Sequence, residues 1–150
     1  MSVTKIYPLL SSERVNFFGA GVTKEQVISE LCELSSGKVT DVEGFSRSIM
    51  EREALVSTGI GLEFAIPHVK NNFVPNFFIT LGIIRDGVEW DSIDRKPVKI
   101  VFLIGGPEGK QNEYLSVLSK ISLIIKNPLS KQHILDAESP EAILEFFARF

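Results

Sequence analysis

The sequence VKIVFLI, residues 98–104, has one polar residue, Lys99, in an otherwise apolar run. A strand with apolar side chains on both of its sides is typical of a sheet that is covered on both faces. Gly105-Gly106-Pro107 ends the run, because these residues favour turns and loops. The segment therefore predicts a buried strand in a layered domain.

Two more segments before this strand also have the composition of strands. Residues 62–66 form a short apolar stretch that ends at Pro67, and residues 77–84 form a longer stretch rich in Phe and Ile. Asp86-Gly87 is a typical turn pair, so residues 88–90 are expected to return as the second arm of a hairpin. The middle of the chain is thus predicted to be mainly strands.

Helical signals lie on both sides of these strands. Thr23 and Gln26 form a capping-box pattern, and a second helix is expected over about residues 41–55. After the strands, apolar residues recur at helical spacing and are expected to face inward: Leu115, Leu118, Ile121 and Ile125. Ser139-Pro140 is typical of a helix start. Helices around central strands predict an α/β layered domain with a mixed sheet.

Composition bounds the class of protein. The 150 residues are the usual size of one domain, so residues 1–150 are expected to form a single domain. The net charge of −3 argues against a general nucleic-acid binder, which needs a basic excess. The first residues lack the pattern of a signal peptide, and no run is long enough to span a membrane. We therefore expect a cytoplasmic protein that does not insert into the membrane.

Most common reaction centres are disfavoured. The two histidines, His68 and His133, are far apart in sequence and Cys32 has no partner, so no metal site is expected. The glycine-rich loops that bind nucleotides are missing as well, and no cofactor is expected. Cys32 lies on an apolar helix face and is interpreted as a buried structural thiol. Three aspartates are interpreted as solvated turn carboxylates, namely Asp86, Asp91 and Asp94.

His68 is the strongest candidate for chemistry. It follows a strand end and Pro67, whose ring restricts the backbone on both sides of the peptide bond. Strand ends in α/β sheets are common ligand sites. From the residues alone, His68 is either a hydrogen-bonded structural histidine or a functional one.

Several residues before His68 are suited to an anion. Gly59 and Gly61 allow backbone amides to approach one, and Thr58 adds a hydroxyl. Arg52 is expected to reach the same place from the end of a helix, where Glu53 is interpreted as part of the polar surface or terminus.

These motifs resemble the type-2 EIIA domains of the bacterial phosphoenolpyruvate-dependent sugar phosphotransferase system (PTS), the fructose/mannitol and nitrogen-regulatory group. The resemblance covers nearly the whole chain, and the order and spacing of the motifs match. The matching stretches are ERE (51–53), STGIG (57–61), AIPH (65–68), DGVEWDS (86–92) and KPV (96–98), which runs into VFLI.

The resemblance implies a mixed sheet of about five strands with helices on both faces. It implies that His68 carries a phosphoryl group, that Arg52 lies beside it, and that Thr58, Gly59 and Gly61 are plausible further donors. Phospho-HPr would be the donor and an EIIB protein or domain the acceptor, which makes the chain a phosphotransferase component. His68 must start neutral, and the ordinary histidine pKa of about 6.5 makes that form available in cells.

Two departures from the family pattern stand out. The usual second active-site histidine is replaced by Tyr114, whose hydroxyl can donate one hydrogen bond but carries no positive charge. Tyr114 is either a site residue or an ordinary helix residue, and His133 is interpreted as structural or exposed. Phe64 stands where small residues are common and is expected to crowd or cap the site.

Two alternatives to a sugar phosphocarrier stay open. One is a nitrogen-type regulatory EIIA, whose phosphorylation state controls binding to other proteins through added charge. The other is a degenerate binding domain that has lost the chemistry, for which Tyr114 is the sole support.

Overall fold

The computed structural model of the chain describes residues 5–149. Within these residues the helices are α1 (Lys24–Leu34), α2 (Val42–Leu55), α3 (Gln111–Lys126), α4 (Pro128–Asp136) and α5 (Pro140–Phe147). The strands are β1 (Val15–Phe17), β2 (Gly59–Gly61), β3 (Phe64–Ala65), β4 (His68–Lys70), β5 (Phe78–Val88) and β6 (Val98–Gly106). None of these helices combines the length and the apolar character needed to cross a membrane.

The six strands form one mixed sheet in the order β1-β5-β6-β3-β2. Its centre is the long antiparallel pair of β5 and β6. β1 runs parallel to β5, and β3 and β4 follow one another along the far edge of β6, both parallel to it. The predicted mixed sheet of an α/β fold is confirmed. The sheet has six strands and not about five, since two short strands, β3 and β4, pair with the same edge of β6.

Helices cover both faces of the sheet, as predicted. α1 and α2 pack on one face, where they contact Val101 and Leu103 of β6. α3, α4 and α5 pack on the other face, against Ile100 and Phe102. Alternate residues of the 98–104 segment thus point into two separate cores, which explains why the segment is apolar on both sides.

The helix starts were predicted well, because caps are local. Thr23 and Gln26 make both hydrogen bonds of the capping box. Asp41 accepts from the backbone N–H of Gly44, and Ser139 accepts from that of Ala142, so each caps its helix as expected.

The predicted hairpin turn at Asp86-Gly87 is wrong. β5 continues through both residues to Val88, which pairs with Val98 of β6. The register shifts between Ile83 and Val88, so the turn-like pair forms an irregularity inside a long strand. Gly87 has a φ of +81°, a left-handed conformation that glycine adopts readily because it has no Cβ.

The predicted strand at 62–66 is also misplaced. Leu62 and Glu63 form a turn, with φ values of 59° and 72°, between β2 and β3. Phe64 does not crowd the site, because it is fully buried and stacks on Phe102 with ring centroids 6.0 Å apart. The turn is held by Asp94, whose carboxylate accepts from the backbone N–H of Leu62.

The buried face of α3 is shifted by one residue from the prediction over its first half, where Tyr114 and Val117 are buried in place of Leu115 and Leu118. Leu115 is 52% exposed, whereas its neighbour Tyr114 is buried. The residues that face the core are Tyr114, Val117, Ile121, Ile124 and Ile125. Both sets of residues have helical spacing, so the pattern alone does not distinguish them.

Candidate active site

His68 stands at the first position of β4, on a backbone that is held from both sides. It lies opposite Ile104 in the parallel pairing with β6. Just before it, the carbonyl of Pro67 accepts a hydrogen bond from the N–H of Ile104 at 2.9 Å. The strand pairing and the proline ring together restrict how the histidine is presented.

The His68 ring has a defined tautomer. Its Nδ1 lies 2.5 Å from the carbonyl oxygen of Ile66. A carbonyl oxygen can only accept, so Nδ1 carries the proton and donates it. In the neutral ring Nε2 then has the lone pair. The nitrogen available as a nucleophile is therefore Nε2.

The surroundings of His68 favour its neutral form. Its pKa lies below the ordinary value chiefly because burial penalises the charged ring. The Ile66 carbonyl and the Glu53 carboxylate oppose this shift, whereas the positive charge of Arg52 adds to it. The net result is a histidine that stays unprotonated at neutral pH.

This lowered pKa predicts how His68 titrates. We expect its NMR titration midpoint to fall below the ordinary value of about 6.5, so the ring stays neutral as the pH is lowered through that value. The spectrum of His68→Ala assigns the His68 signals. A His68 midpoint above 6.5 would mean that the carbonyl and the carboxylate outweigh burial.

Arg52 and Tyr114 are brought next to His68 from two different helices. The ring centroids of His68 and Tyr114 are 5.8 Å apart. Arg52 lies in the last turn of α2, where Nη1 donates to the carbonyl of Val56 at 3.1 Å. Its positive charge adds to the lowering of the His68 pKa and opposes the larger rise that burial causes at Tyr114. Three of the predicted site residues therefore form one cluster.

Tyr114 lies in the first turn of α3, and its ring is tightly placed. Lys70 Nζ lies 5.6 Å from the ring centroid, on its face. A side chain at Gly106 would approach the Tyr114 ring to 3.2 Å, so glycine leaves the room that the ring occupies. Burial raises the pKa of the hydroxyl above its ordinary value, so it stays a hydrogen-bond donor.

Thr58 is tied to Glu53. Its backbone N–H and its hydroxyl donate to the two carboxylate oxygens at 2.7 and 2.6 Å. Lys24 Nζ reaches the same carboxylate at 2.8 Å. A phosphoryl contact from the Thr58 hydroxyl would have to break this bond, because a hydroxyl has one proton to donate.

The interpretation of Glu53 as part of a polar surface was wrong. The residue is only 6% exposed and joins α1, α2 and the segment before β2 through Lys24 and Thr58. The sequence did contain a signal for this burial: Phe45, Ile49 and Glu53 are spaced four residues apart and so lie on one face of the helix. A charged residue on the buried face of a helix is expected to have partners.

The glycines of the STGIG motif have structural roles of their own. A Cβ at Gly59 would lie 2.4 Å from the Ser92 hydroxyl and 2.9 Å from the Ser92 Cα. The N–H of Gly59 donates to Ser57 Oγ at 3.1 Å. Gly61 has a φ of +94°, which glycine adopts readily. A phosphoryl contact from these amides stays a prediction.

The close approach at Gly59 predicts a large cost for a single methyl group. Gly59→Ala is expected to destabilise the protein by about 2 kcal/mol or more, because the new methyl group meets backbone atoms. Gly37→Ala is the matched control, since nothing lies within 4 Å of a Cβ there. Urea denaturation of both variants tests this, and equal midpoints would contradict it.

Cys32 and His133 are placed as expected, whereas Asp86 is exposed in β5 and not in a turn. Cys32 is buried, and burial raises the pKa of its thiol to about 11. His133 is exposed and stacks on Phe146 at 4.9 Å. Asp86, Asp91 and Asp94 are exposed, and residues 5–149 contain no cluster of three metal-ligating side chains.

An exposed apolar surface lies beside Arg52. It consists of Leu55, Val56, Ile60, Leu62 and Ile93. The N–H of Ile93 donates to the carbonyl of Gly59, which places the loop after β5 against β2. Exposed apolar residues that cluster in this way are typical of protein-binding surfaces. We call this group the apolar surface.

Fold and cluster define a class of protein, namely an open mixed α/β sheet that presents one histidine at the start of an edge strand beside an arginine. The sequence matches the family model for the phosphoenolpyruvate-dependent sugar phosphotransferase system, EIIA 2, over residues 8–150. The chain belongs to this family, as its motifs predicted, and the family supports a phosphotransferase role.

Relatives and solved structures agree with this assignment. The chain is 36% identical over 143 residues to the PTS system fructose-specific EIIABC component of Bacillus subtilis, covering 94% of this chain but 22% of that relative. It superposes on the nitrogen regulatory protein IIA-Ntr of Neisseria meningitidis with a TM-score of 0.87 and 25% identity, covering 95% of this chain and 99% of the other. Enzyme IIAMtl, in its complex with phosphorylated enzyme IIBMtl from Escherichia coli, has a TM-score of 0.79 and 20% identity over 94% of this chain and 98% of the other.

Proposed function

We propose that the chain is a phosphocarrier of the sugar phosphotransferase system. It accepts a phosphoryl group from phospho-HPr on Nε2 of His68 and passes it to an EIIB protein or domain. The observation that carries this proposal is the hydrogen bond from His68 Nδ1 to the Ile66 carbonyl, which leaves Nε2 as the nucleophile. Family membership supports the reaction class.

The chemistry consists of two displacements at phosphorus. The Nε2 lone pair forms a new P–N bond, while the P–N bond of the donor breaks and its electron pair returns to the donor imidazole. In the second step the P–N bond at His68 breaks as the acceptor bonds to phosphorus. Neither step needs a cofactor, since catalysis consists of positioning and charge stabilisation.

Arg52 and Tyr114 supply that stabilisation in the proposal. The planar guanidinium pairs with phosphoryl oxygens through charge-assisted hydrogen bonds. The Tyr114 hydroxyl, which its raised pKa keeps protonated, donates one more hydrogen bond. The 5.8 Å between the ring centroids of His68 and Tyr114 and the electrostatic influence of Arg52 on His68 support these roles.

The partners bind over the apolar surface in this proposal. A carrier that meets phospho-HPr and an EIIB in turn needs one face that binds both partners and lets each of them reach the histidine. The apolar surface adjoins Arg52 through Val56, whose carbonyl bonds the guanidinium. Transfer between such partners implies a cytoplasmic location.

The test is a two-stage transfer. The chain is incubated with phosphoenolpyruvate, Enzyme I and HPr, and its intact mass is expected to rise by one phosphoryl group that is lost in mild acid. Purified fructose- and mannitol-type EIIB proteins are then added, and at least one is expected to remove the group within seconds. Acid-stable label, or no label at all, would contradict the proposal.

A regulatory function is the second candidate. It is favoured by the similarity to IIA-Ntr, which is the nitrogen-regulatory branch of the fold. A phosphoryl group adds about two negative charges to a surface, which is enough to change partner affinity. Affinity capture with the phosphorylated and unphosphorylated chain separates the two functions, because regulation predicts phosphorylation-dependent partners other than EIIB.

Tyr114 is expected to limit the rate of transfer. Tyr114→His should raise the rate of phosphoryl uptake by about tenfold, because a charge-assisted hydrogen bond is roughly twice as strong as a neutral one. Tyr114→Phe, which keeps the ring packing, should lower it by about three- to tenfold. Single-turnover uptake from phospho-HPr measures both. If neither wild type nor Tyr114→His is phosphorylated, the domain is degenerate.

A further inference from the structure

A cavity of about 290 Å³ lies at the other end of α3 from the candidate active site. Tyr114 is in the first turn of α3, and Leu123 on the cavity wall is nine residues further on, or about 13 Å along the helix. Its volume is at the lower end for sites that bind small molecules. Three cations also line it, namely Lys5, Lys120 and Arg149.

The charge at this cavity has one sign. Its described lining contains the three cations and no carboxylate. The chain as a whole has a net charge of −3, so the local positive charge at this cavity is opposite in sign to the net charge of the protein. Such a group attracts an anion.

Ser130 gives a second, independent observation. It lines the cavity, it is 1% exposed, and its hydroxyl has no hydrogen-bond partner within the described residues. A buried hydroxyl without a partner costs stability, so such groups are rare unless something binds them. The backbone N–H of Ser130 is already paired with the carbonyl of Asn127, which leaves the hydroxyl as the unused donor.

The rest of the lining is apolar apart from Asn127, whose Oδ1 already accepts from the backbone N–H of Leu129. Ile6 is fully buried, and Leu123 is 69% exposed on the cavity wall. An apolar wall with a few convergent polar groups is typical of small-molecule sites. A ligand that fits both the cationic and the apolar part of the cavity has an anionic head and a short apolar body.

We propose that this cavity binds a small phosphate monoester with an apolar body. The phosphate lies between the cations and accepts a hydrogen bond from Ser130, while the apolar part contacts Ile6 and Leu123. Liquid water occupies about 30 Å³ per molecule, so the cavity accommodates roughly ten non-hydrogen atoms. The site is independent of the chemistry at His68.

Hexyl phosphate, with eleven non-hydrogen atoms, is the probe. It is titrated into the ¹⁵N-labelled full chain and followed by amide chemical shifts. Saturable shifts are expected in residues 120–130, with affinities at least about tenfold weaker for inorganic phosphate, which lacks the apolar body, and for 1-hexanol, which lacks the charge. Shifts confined to the His68 region, equal binding of 1-hexanol, or no binding at millimolar concentrations would each overturn the proposal.

Substitutions at the cavity separate a binding site from a structural gap. Ser130→Ala is expected to weaken hexyl phosphate by about fivefold or more, and to raise the melting temperature of the ligand-free protein by about 3 °C, since an unpaired buried hydroxyl is removed. Lys120→Gln should weaken the binding of hexyl phosphate by a similar factor but should not raise the melting temperature of the ligand-free protein. Lys126→Gln, an exposed lysine of the same helix outside the cavity, is the control and should bind as wild type. Unchanged affinity in both cavity variants would overturn the proposal.

Discussion

Replacing His68 by alanine is expected to abolish phosphorylation of this protein. Wild type should accept one phosphoryl group per chain from phosphoenolpyruvate, Enzyme I and HPr, and His68→Ala should accept none. The reason is that the proposed covalent bond forms at this side chain, so no residual pathway through Arg52 or Tyr114 exists. Intact-mass spectrometry measures the loss directly.

The control for this experiment is the other histidine. His133 is exposed and stacks on Phe146, away from the cluster, so His133→Ala should be phosphorylated like wild type. Long-range ¹H–¹⁵N NMR of the phosphorylated wild type should place phosphorus on Nε2, because Nδ1 is bonded to the Ile66 carbonyl. Phosphorylated His68→Ala, or phosphorus on Nδ1, would refute the assignment of the nucleophile.

Glu53→Ala is expected to cause the largest loss of stability among single substitutions near the site. The free energy of unfolding should fall by about 3 kcal/mol or more, because removing one partner of a buried ion pair leaves the other without compensation. Here Lys24 loses its carboxylate, and both the N–H and the hydroxyl of Thr58 lose their acceptor. For a protein of typical stability this is a large fraction of the total.

Glu51→Ala is the matched control, since Glu51 lies two residues away on the same helix and is exposed. It should change stability by less than about 0.5 kcal/mol. Urea denaturation of both variants provides the comparison. A Glu53→Ala protein as stable as Glu51→Ala would show that water replaces the buried carboxylate at little cost.

The parts of the fold that depend on local sequence were predicted. The starts of α1, α2 and α5 follow from Thr23, Asp41 and Ser139, because an N-cap bonds within its own first turn. The buried strand at 98–104 was also predicted, since its composition records burial on both faces.

The errors have one physical cause. Asp86-Gly87 has the local chemistry of a turn, yet pairing of Val88 with Val98 keeps both residues in β5. Glu53 has the local chemistry of a surface residue, yet Lys24 and Thr58 meet it inside the protein. In both cases partners outside the helix or strand segment itself decide the outcome, and the propensity of that segment does not contain them.

The sequence by itself determined the α/β class, the position of most helices, the family and the candidate pair of Arg52 and His68. Tertiary structure alone decided that Tyr114 packs 5.8 Å from His68 and that the Ile66 carbonyl selects Nε2. It also directed the Thr58 hydroxyl to Glu53 and left the Ser130 hydroxyl without a partner among residues 5–149, at a cavity lined by three cations. These features depend on the directions of individual polar atoms, which are set only when the elements pack against one another.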